Sequence, residues 1–285
     1  MKTRKVWLVT GASKGLGLTL VKQLLESGYL VAATSRKLND LLEAIGPKSN
    51  QFLPLAMDLK TEASVAAAVE NTFTHFGQLD VVVNNAGYGL VGTVEELSDW
   101  EARENFEVNV FGTLNVIRRA MPYLREQRSG HIFNLSSIGG FNGNFPGFGI
   151  YCGTKFAIEG LSESLAAEVK PFGIDVTIVA PGYFRTDFLS SESLQVPKNP
   201  ITAYKQVRDL QNAHQNDIHG NQAGDPVKAA QAMIRVATEE NPPLHLFLGE
   251  DAYNLAYTKI DAVIEELEQW KAITVSTAIE TSVPV

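Results

Sequence analysis

The stretch that most restricts the fold lies near the N-terminus. Val6-Trp7-Leu8-Val9 reads as a buried strand, Thr10-Gly11-Ala12-Ser13-Lys14-Gly15-Leu16-Gly17 as a glycine-rich turn, and Leu18, Leu20, Val21, Leu24 and Leu25 as the apolar stripe of a helix. Gly28 fits a helix C-cap, and Tyr29 to Thr34 supply a second strand, which makes a βαβ unit. Parallel strands need such crossovers, and the crossover helices cover the faces of the sheet. The same alternation continues along the chain. Strands are predicted at Phe52 to Met57, Leu79 to Val83, His131 to Leu135, Gly173 to Val179 and Leu244 to Leu248. Helices are predicted at Ser64 to Phe76, Ser98 to Gln127, from Tyr151 onward, Pro226 to Glu239 and near the C-terminus. The expected architecture is an α/β doubly wound parallel sheet with helices on both faces.

No linker or repeat interrupts residues 1–285, so one domain is expected. Residues 187–224 break the alternation with a polar, proline-containing excursion and a short helix near Thr202 to His214. An irregular insertion after a strand end suits a substrate lid. Residues 249–285 read as a helical extension carrying Ile260, Val263, Ile264 and Leu267, with a loose tail from Ser276.

Net charge is −8 and no block of Lys and Arg occurs, so neither nucleic acid nor an anionic membrane finds an electrostatic footprint. The apolar run Val6 to Val9 is too short for a signal peptide or a membrane span. A single cysteine, Cys152, excludes an internal disulfide and suits a reducing cytoplasm. The five histidines have no spacing that builds a metal site, and none is expected.

The glycine turn carries the first chemistry. Gly11, Gly15 and Gly17 let the backbone approach a pyrophosphate, and the helix that starts beside Ser13, Lys14 and Leu16 offers unpaired amides and a positive dipole end. The second strand ends in Thr34-Ser35-Arg36-Lys37, where NAD-binding turns usually hold an acid. Cations here, with Lys14 alongside, favour a ribose 2′-phosphate, hence NADP(H) over NAD(H). Asp58-Leu59 at the end of the third strand could receive an adenine amino group, and Asn85, Ala86 and Gly87 close the fourth. Asn109 is a polar amide in an apolar helical neighbourhood, either a bridge to a neighbour or a site residue. Tyr151 and Lys155 lie one helical turn apart, where an ammonium favours the phenolate and draws the phenol toward proton exchange near neutrality.

Taken in order, Thr-Gly-x-x-x-Gly-x-Gly at Thr10 to Gly17, Asn-Asn-Ala-Gly at Asn84 to Gly87, Asn109, Ser137, Tyr151-x-x-x-Lys155 and Pro181-Gly182 resemble the short-chain dehydrogenase/reductase family, over roughly Lys5 to Leu248. The resemblance implies a Rossmann-type sheet of about seven strands. It also implies an oxidoreductase in which Tyr151 exchanges a proton with the carbonyl or alcohol oxygen and Lys155 lowers its pKa and holds the nicotinamide ribose. Ser137 would bind the substrate oxygen, Asn109 would hold the long helix and a relay water, and Thr186 would meet the nicotinamide carboxamide. The run from Tyr151 to Leu161 leans toward the steroid and retinol side of the family. Family relatives are often homodimers or homotetramers, and the same is expected here. Phe141, Phe145, Phe184 and Phe188 are candidates for an apolar pocket that takes a lipophilic ketone, aldehyde or alcohol. A cofactor-sensing regulator or an epimerase with an internal redox cycle are the alternatives on the same fold.

Overall fold

The computed structural model describes residues 4–191 and 193–279. Seven parallel strands form one sheet in the spatial order β3-β2-β1-β4-β6-β7-β9. They are β1 (Val6–Val9), β2 (Leu30–Ser35), β3 (Phe52–Ala56), β4 (Val81–Asn84), β6 (Gly130–Leu135), β7 (Ile174–Pro181) and β9 (His245–Leu248). Their residues are Val, Ile, Leu and Phe in near-continuous runs because both faces are covered. On one face Trp7, Val9, Val31, Val81 and Phe133 pack with Leu20, Val21 and Leu24 of α1 (Gly15–Glu26) and Ala229, Ala230 and Met233 of α8 (Pro226–Val236). The other face sets Leu8, Ala32, Val82 and Ile132 against Val65 and Val69 of α3 (Glu62–Phe76) and Val116, Ala120 and Leu124 of α5 (Gly112–Gln127). The strand order reverses at the β1/β4 neighbour pair, which opens the crevice where ligands of such sheets sit.

The predicted strands are all present, with ends shifted by a few residues. Leu79 falls outside β4 because its amide donates to the Gln127 side chain instead of to a neighbouring strand. β7 runs on to Pro181, paired with Leu248, which carries the chain to the rim of the crevice. A short helix α2 (Leu38–Ala44), which the sequence pattern did not single out, follows β2. The long helix predicted from Ser98 begins at α4 (Asp99–Phe106) with a reciprocal Ser98–Glu101 capping box. It then widens into a π-helical turn, Glu107–Phe111, before α5. The helix after the strand pair is α6 (Gly149–Val169).

The excursion after β7 is partly ordered into α7 (Lys205–Asn212) and a π-helical turn, Ala213–Ile218. It also adds a small parallel pair, β5 (Gly89–Leu90) with β8 (Leu194–Gln195). α9 (Glu250–Val275) runs out from the end of β9 and exposes Ile264, Leu267, Trp270 and Ile273. The tail expected from Ser276 lies in part outside the described residues. No helix among the described residues is long and apolar enough to cross a membrane.

Candidate active site

A cleft of about 1250 Å³ runs along the carboxyl ends of the strands, from the glycine turn to the excursion. At one end the turn is built for close backbone approach. Gly11 has φ +65°, and a Cβ there would lie 2.7 Å from the Ala86 Cα; Gly15 has φ +59°. Thr10 Oγ1 accepts the amides of Asn85 (3.0 Å) and Ala86 (3.1 Å), and Asn85 Nδ2 donates to the carbonyls of Thr10 and Gly11 (2.9 Å each). These bonds lock the β4 turn onto the glycine turn. The first turn of α1 has no side-chain cap, so its amides face the cleft unclaimed by the chain's own N-cap residue. Ser13, Lys14, Ser35, Arg36, Lys37 and also Asp40 surround the end of β2. Ser35 Oγ donates to Ser13 Oγ at 3.3 Å, which ties the two turns together. Asp58 lines the next position and spends its carboxylate on the Lys60 amide (3.0 Å) and the Thr61 hydroxyl (3.4 Å).

The reactive corner sits where α6 passes the end of β6. Tyr151 and Lys155 are both buried, on the same face of α6. Lys155 Nζ donates to the Leu135 carbonyl at 2.7 Å and stands 5.8 Å from the centre of the Tyr151 ring. Burial lowers the Lys155 ammonium to about 8, while the negative charge of Glu159, one turn further on, works the other way. Burial pushes the Tyr151 phenol well above its ordinary value, and a hydrogen bond with Ser137 opposes that rise. The expectation that Lys155 draws the phenol down toward neutrality is therefore corrected in the free protein. Desolvation of the phenolate sets the direction. Ser137 caps the short turn Ile138–Gly140, accepting the Gly139 amide at 3.1 Å, so its hydroxyl is held toward Tyr151. Ser136, its neighbour, turns inward and donates to the Lys155 carbonyl at 3.4 Å.

Three sequence-predicted residues fall outside the cleft lining. Asn109 is buried in the π-helical turn, where its side chain accepts the Tyr88 amide (3.0 Å) and donates to the Tyr88 carbonyl (3.0 Å) and the Thr154 hydroxyl (3.1 Å). The widened turn aims this amide between the β4 loop and α6, and it acts as the bridge that the sequence left as one of two options. Gly17 backs onto Asn85 and the Gly11 carbonyl, where a Cβ would come within 2.7 Å of that oxygen; its part is helix-to-turn packing. Phe141 packs edge-on against Phe247 at 5.2 Å, with Ala252 and Ala256 of α9, and lines no part of the cleft. Its place follows from the turn at Ile138–Gly140, which points the chain toward α9. By contrast Leu16, Leu59, Gly87, Pro181, Gly182, Thr186, Phe145, Phe184 and Phe188 all face the cleft.

Gly182 is needed where it stands: a Cβ there would collide with the Asp251 carboxylate, whose Oδ2 accepts the Tyr183 amide at 2.7 Å. The start of α9 thereby fixes the β7 turn that carries Thr186.

The outer wall comes from the excursion, through Leu189, Ser193, Val196, His214 and Gln222. Two buried carboxylates that sequence reasoning missed hold it down. Glu96 accepts the amides of Thr93 and Ile201 and the guanidinium of Arg208, each at 2.8 Å. Glu101 accepts the Lys198 amide at 3.0 Å in addition to its capping bonds. The Thr93-x-x-Glu96 and Ser98-x-x-Glu101 spacings are the available signals, and each speaks only of a cap. Among the described residues no group of three or more His, Cys, Asp or Glu side chains is placed to hold a metal ion.

A parallel seven-stranded sheet with a glycine-turn cradle at its switch point and a corner of half-buried Ser137 with buried Tyr151 and Lys155 defines a dinucleotide-type α/β enzyme scaffold. Residues 5–196 match the short chain dehydrogenase family. The chain is 36% identical over 247 residues to a 3-ketodihydrosphingosine reductase of Bacteroides thetaiotaomicron, covering 86% of this chain and 88% of that protein. It superposes on a short-chain dehydrogenase from Streptomyces avermitilis with a TM-score of 0.89 at 36% identity, covering 98% of this chain and 100% of the other. It also superposes on a 3-ketoacyl-(acyl-carrier-protein) reductase from Brucella melitensis complexed with NADH, with a TM-score of 0.71 at 25% identity, over 85% and 96% of the two chains. The chain belongs to the short-chain dehydrogenase family. The names of these relatives include no steroid or retinol substrate.

Proposed function

We propose that this protein is an NADP(H)-dependent reductase or dehydrogenase acting on a ketone, aldehyde or alcohol attached to a lipophilic body. The observation that carries the reading is the convergence of Ser137, Tyr151 and Lys155 at the junction between the glycine-turn arm and the apolar wall of one cleft. The residues present fit a nicotinamide dinucleotide. The Gly11 and Gly15 backbone is open to close approach, the α1 amides lack a side-chain cap, and a buried oxygen of Gln222, beside Thr186, has no partner within the protein. The relative from Brucella melitensis holds NADH in this fold, which supports a nicotinamide cofactor.

When bound, the cofactor supplies or accepts the hydride; the chain's own residues handle binding and the proton. Ser137 donates to the carbonyl oxygen and steadies its growing charge. Tyr151, held protonated by burial, delivers its proton to that oxygen in reduction. Lys155, fixed by the Leu135 carbonyl, supplies positive charge beside the phenol as it becomes a phenolate. Arg36 and Lys37, with Lys14 alongside, line the end of the cleft where a ribose 2′-phosphate would lie and would favour it; Asp40, in the same lining, would oppose it. Phe145, Phe148, Phe184, Phe188 and Leu189 receive the lipophilic body, and residues 187–224 act as the lid. The two reductases among the relatives, which act on 3-keto compounds by name, support a ketone attached to a chain.

The protein works as a homodimer or homotetramer in this reading, supported by Phe111, Phe156 and Leu161, which α6 and the π-helical turn before α5 expose. Fluorescence titration with NADPH and NADH, then NADPH consumption over a panel of ketones and aldehydes, tests the whole. Tight NADPH binding with turnover of a ketone is expected. Failure to bind either nucleotide overturns it.

A further inference from the structure

His214 and Tyr183 form a polar pair inside an otherwise apolar part of the cleft. His214 is buried and comes from the π-helical turn Ala213–Ile218 of the excursion; Tyr183 comes from the turn after β7. Their side chains meet with Nε2 and the phenol oxygen 2.9 Å apart. Around them stand Phe148, whose ring centre is 5.1 Å from the imidazole, and Tyr151, Leu189 and Phe188. Tyr183 packs on the same apolar cluster as Tyr151, and Tyr151, Tyr183 and His214 all line the cleft, so the pair lies at the reacting end of it.

The direction of the hydrogen bonds is set by the chain. His214 Nδ1 lies 2.8 Å from the Leu210 carbonyl, which can only accept, so Nδ1 carries the hydrogen. In the neutral imidazole Nε2 is then an acceptor, and the Tyr183 hydroxyl donates to it. The phenol proton is committed, the Tyr183 oxygen keeps a free lone pair, and both side chains line the cleft. That oxygen accepts a hydrogen bond and has none to give. A π-helical turn is uncommon and recurs at functional sites, and here it is what brings His214 back under Tyr183.

We infer that the Tyr183–His214 pair is a recognition site for a hydrogen-bond donor on the substrate: a hydroxyl or amino group carried near the reacting carbon of the lipophilic ketone. The inference rests on the reductase reading and narrows its substrate class. A ketone lacking that donor leaves the Tyr183 oxygen unpaired in an apolar surround, which is how a polar site rejects the analogue that lacks the group. A methoxy group in the same place brings an acceptor against an acceptor and is disfavoured further.

The test compares an α-hydroxy ketone, the parent ketone and the α-methoxy ketone of one chain length, with NADPH, in the wild type, Tyr183→Phe and His214→Phe. Circular dichroism and NADPH titration first check that each variant is folded and binds cofactor. The wild type is expected to prefer the hydroxy ketone over the parent in kcat/KM by roughly tenfold or more. In Tyr183→Phe that ratio falls to about one, since only the oxygen is removed. In His214→Phe the Tyr183 hydroxyl is released to donate as well as accept, so the discrimination against the methoxy ketone falls while the hydroxy ketone is still used. Should none of the ketones turn over, binding of the matching diol and mono-alcohol by calorimetry reads the same ratio. Equal use or binding of the hydroxy and parent compounds by the wild type, or an unchanged ratio in Tyr183→Phe, overturns the inference. Loss of NADPH binding in the wild type instead overturns the reductase reading beneath it.

Discussion

Replacing Glu96 by alanine isolates the tether of the lid from the chemistry. The Glu96 side chain is fully buried and holds three donors at 2.8 Å, two of them from the excursion, Ile201 and Arg208. Truncation strands the Thr93 and Ile201 amides, at about 1–3 kcal/mol for each buried donor left unsatisfied. Removing one partner of a buried ion pair costs about 3–5 kcal/mol when the other stays dry. Arg208 keeps a bond to Gln211 and 23% of its side-chain exposure, so its share is smaller. A loss of about 2–4 kcal/mol in the closure of this segment follows. At about 1.4 kcal/mol per tenfold, the Ile201 amide should exchange its hydrogen roughly 30- to 1000-fold faster, while Val82 in the centre of the sheet changes much less. Hydrogen exchange read by mass spectrometry or NMR measures this directly. The wild type should show a related acid dependence. Burial pushes the Glu96 carboxyl up, but the Thr93 and Ile201 bonds and the Arg208 charge outweigh it and hold the group below its ordinary 4.5. A depressed carboxyl contributes stability above its unfolded pKa and loses it as pH falls through the folded value, so Ile201 protection should fall on acidification. Glu101, held low in the same way against its own burial, adds to the loss at Lys198. Ile201 exchange within about threefold of wild type in Glu96→Ala would refute the reasoning.

Other outcomes follow from the same structure. Arg36→Asp should weaken NADPH far more than NADH in a fluorescence titration, and an unchanged preference would place the 2′-phosphate contact elsewhere. Because burial keeps Tyr151 protonated but brings the Lys155 ammonium down to about 8, kcat/KM for ketone reduction should be flat below neutrality and fall as pH rises through about 8 and Lys155 loses its charge; a rate that stays level well into alkali would contradict it. Light scattering at micromolar concentration should give a multiple of the monomer mass, and the monomer mass would remove the oligomer from the account.

Much of this was legible in the sequence because it is written in local patterns. The βαβ start, the strand alternation and the Tyr151–Lys155 spacing each depend on neighbours in the chain, and each lands where it was expected. What was hidden depends on non-local pairing. Phe141 read as pocket wall by composition, yet α9, more than a hundred residues further on, supplies its partners. The proton affinity of Tyr151 could not be judged from a neighbouring lysine, since burial of both groups decides it. Glu96 and Glu101 carry only a local capping pattern and His214 none, and their roles come from bonds to segments 31 to 112 residues away. The two π-helical turns that aim Asn109 and His214 leave no periodic signature strong enough to distinguish them from ordinary helix.

Tyr151 is the residue on which the reductase reading turns, and Tyr151→Phe keeps its ring while removing the transferable proton. The decisive measurement is NADPH oxidation with a lipophilic ketone by the wild type and by this variant, after titration has shown that both bind NADPH with similar affinity. Turnover by the wild type and a loss of about a hundredfold or more in kcat for the variant is the predicted result. A variant that reduces the ketone at a rate near that of the wild type would take the proton transfer away from Tyr151 and with it the mechanism built on this corner.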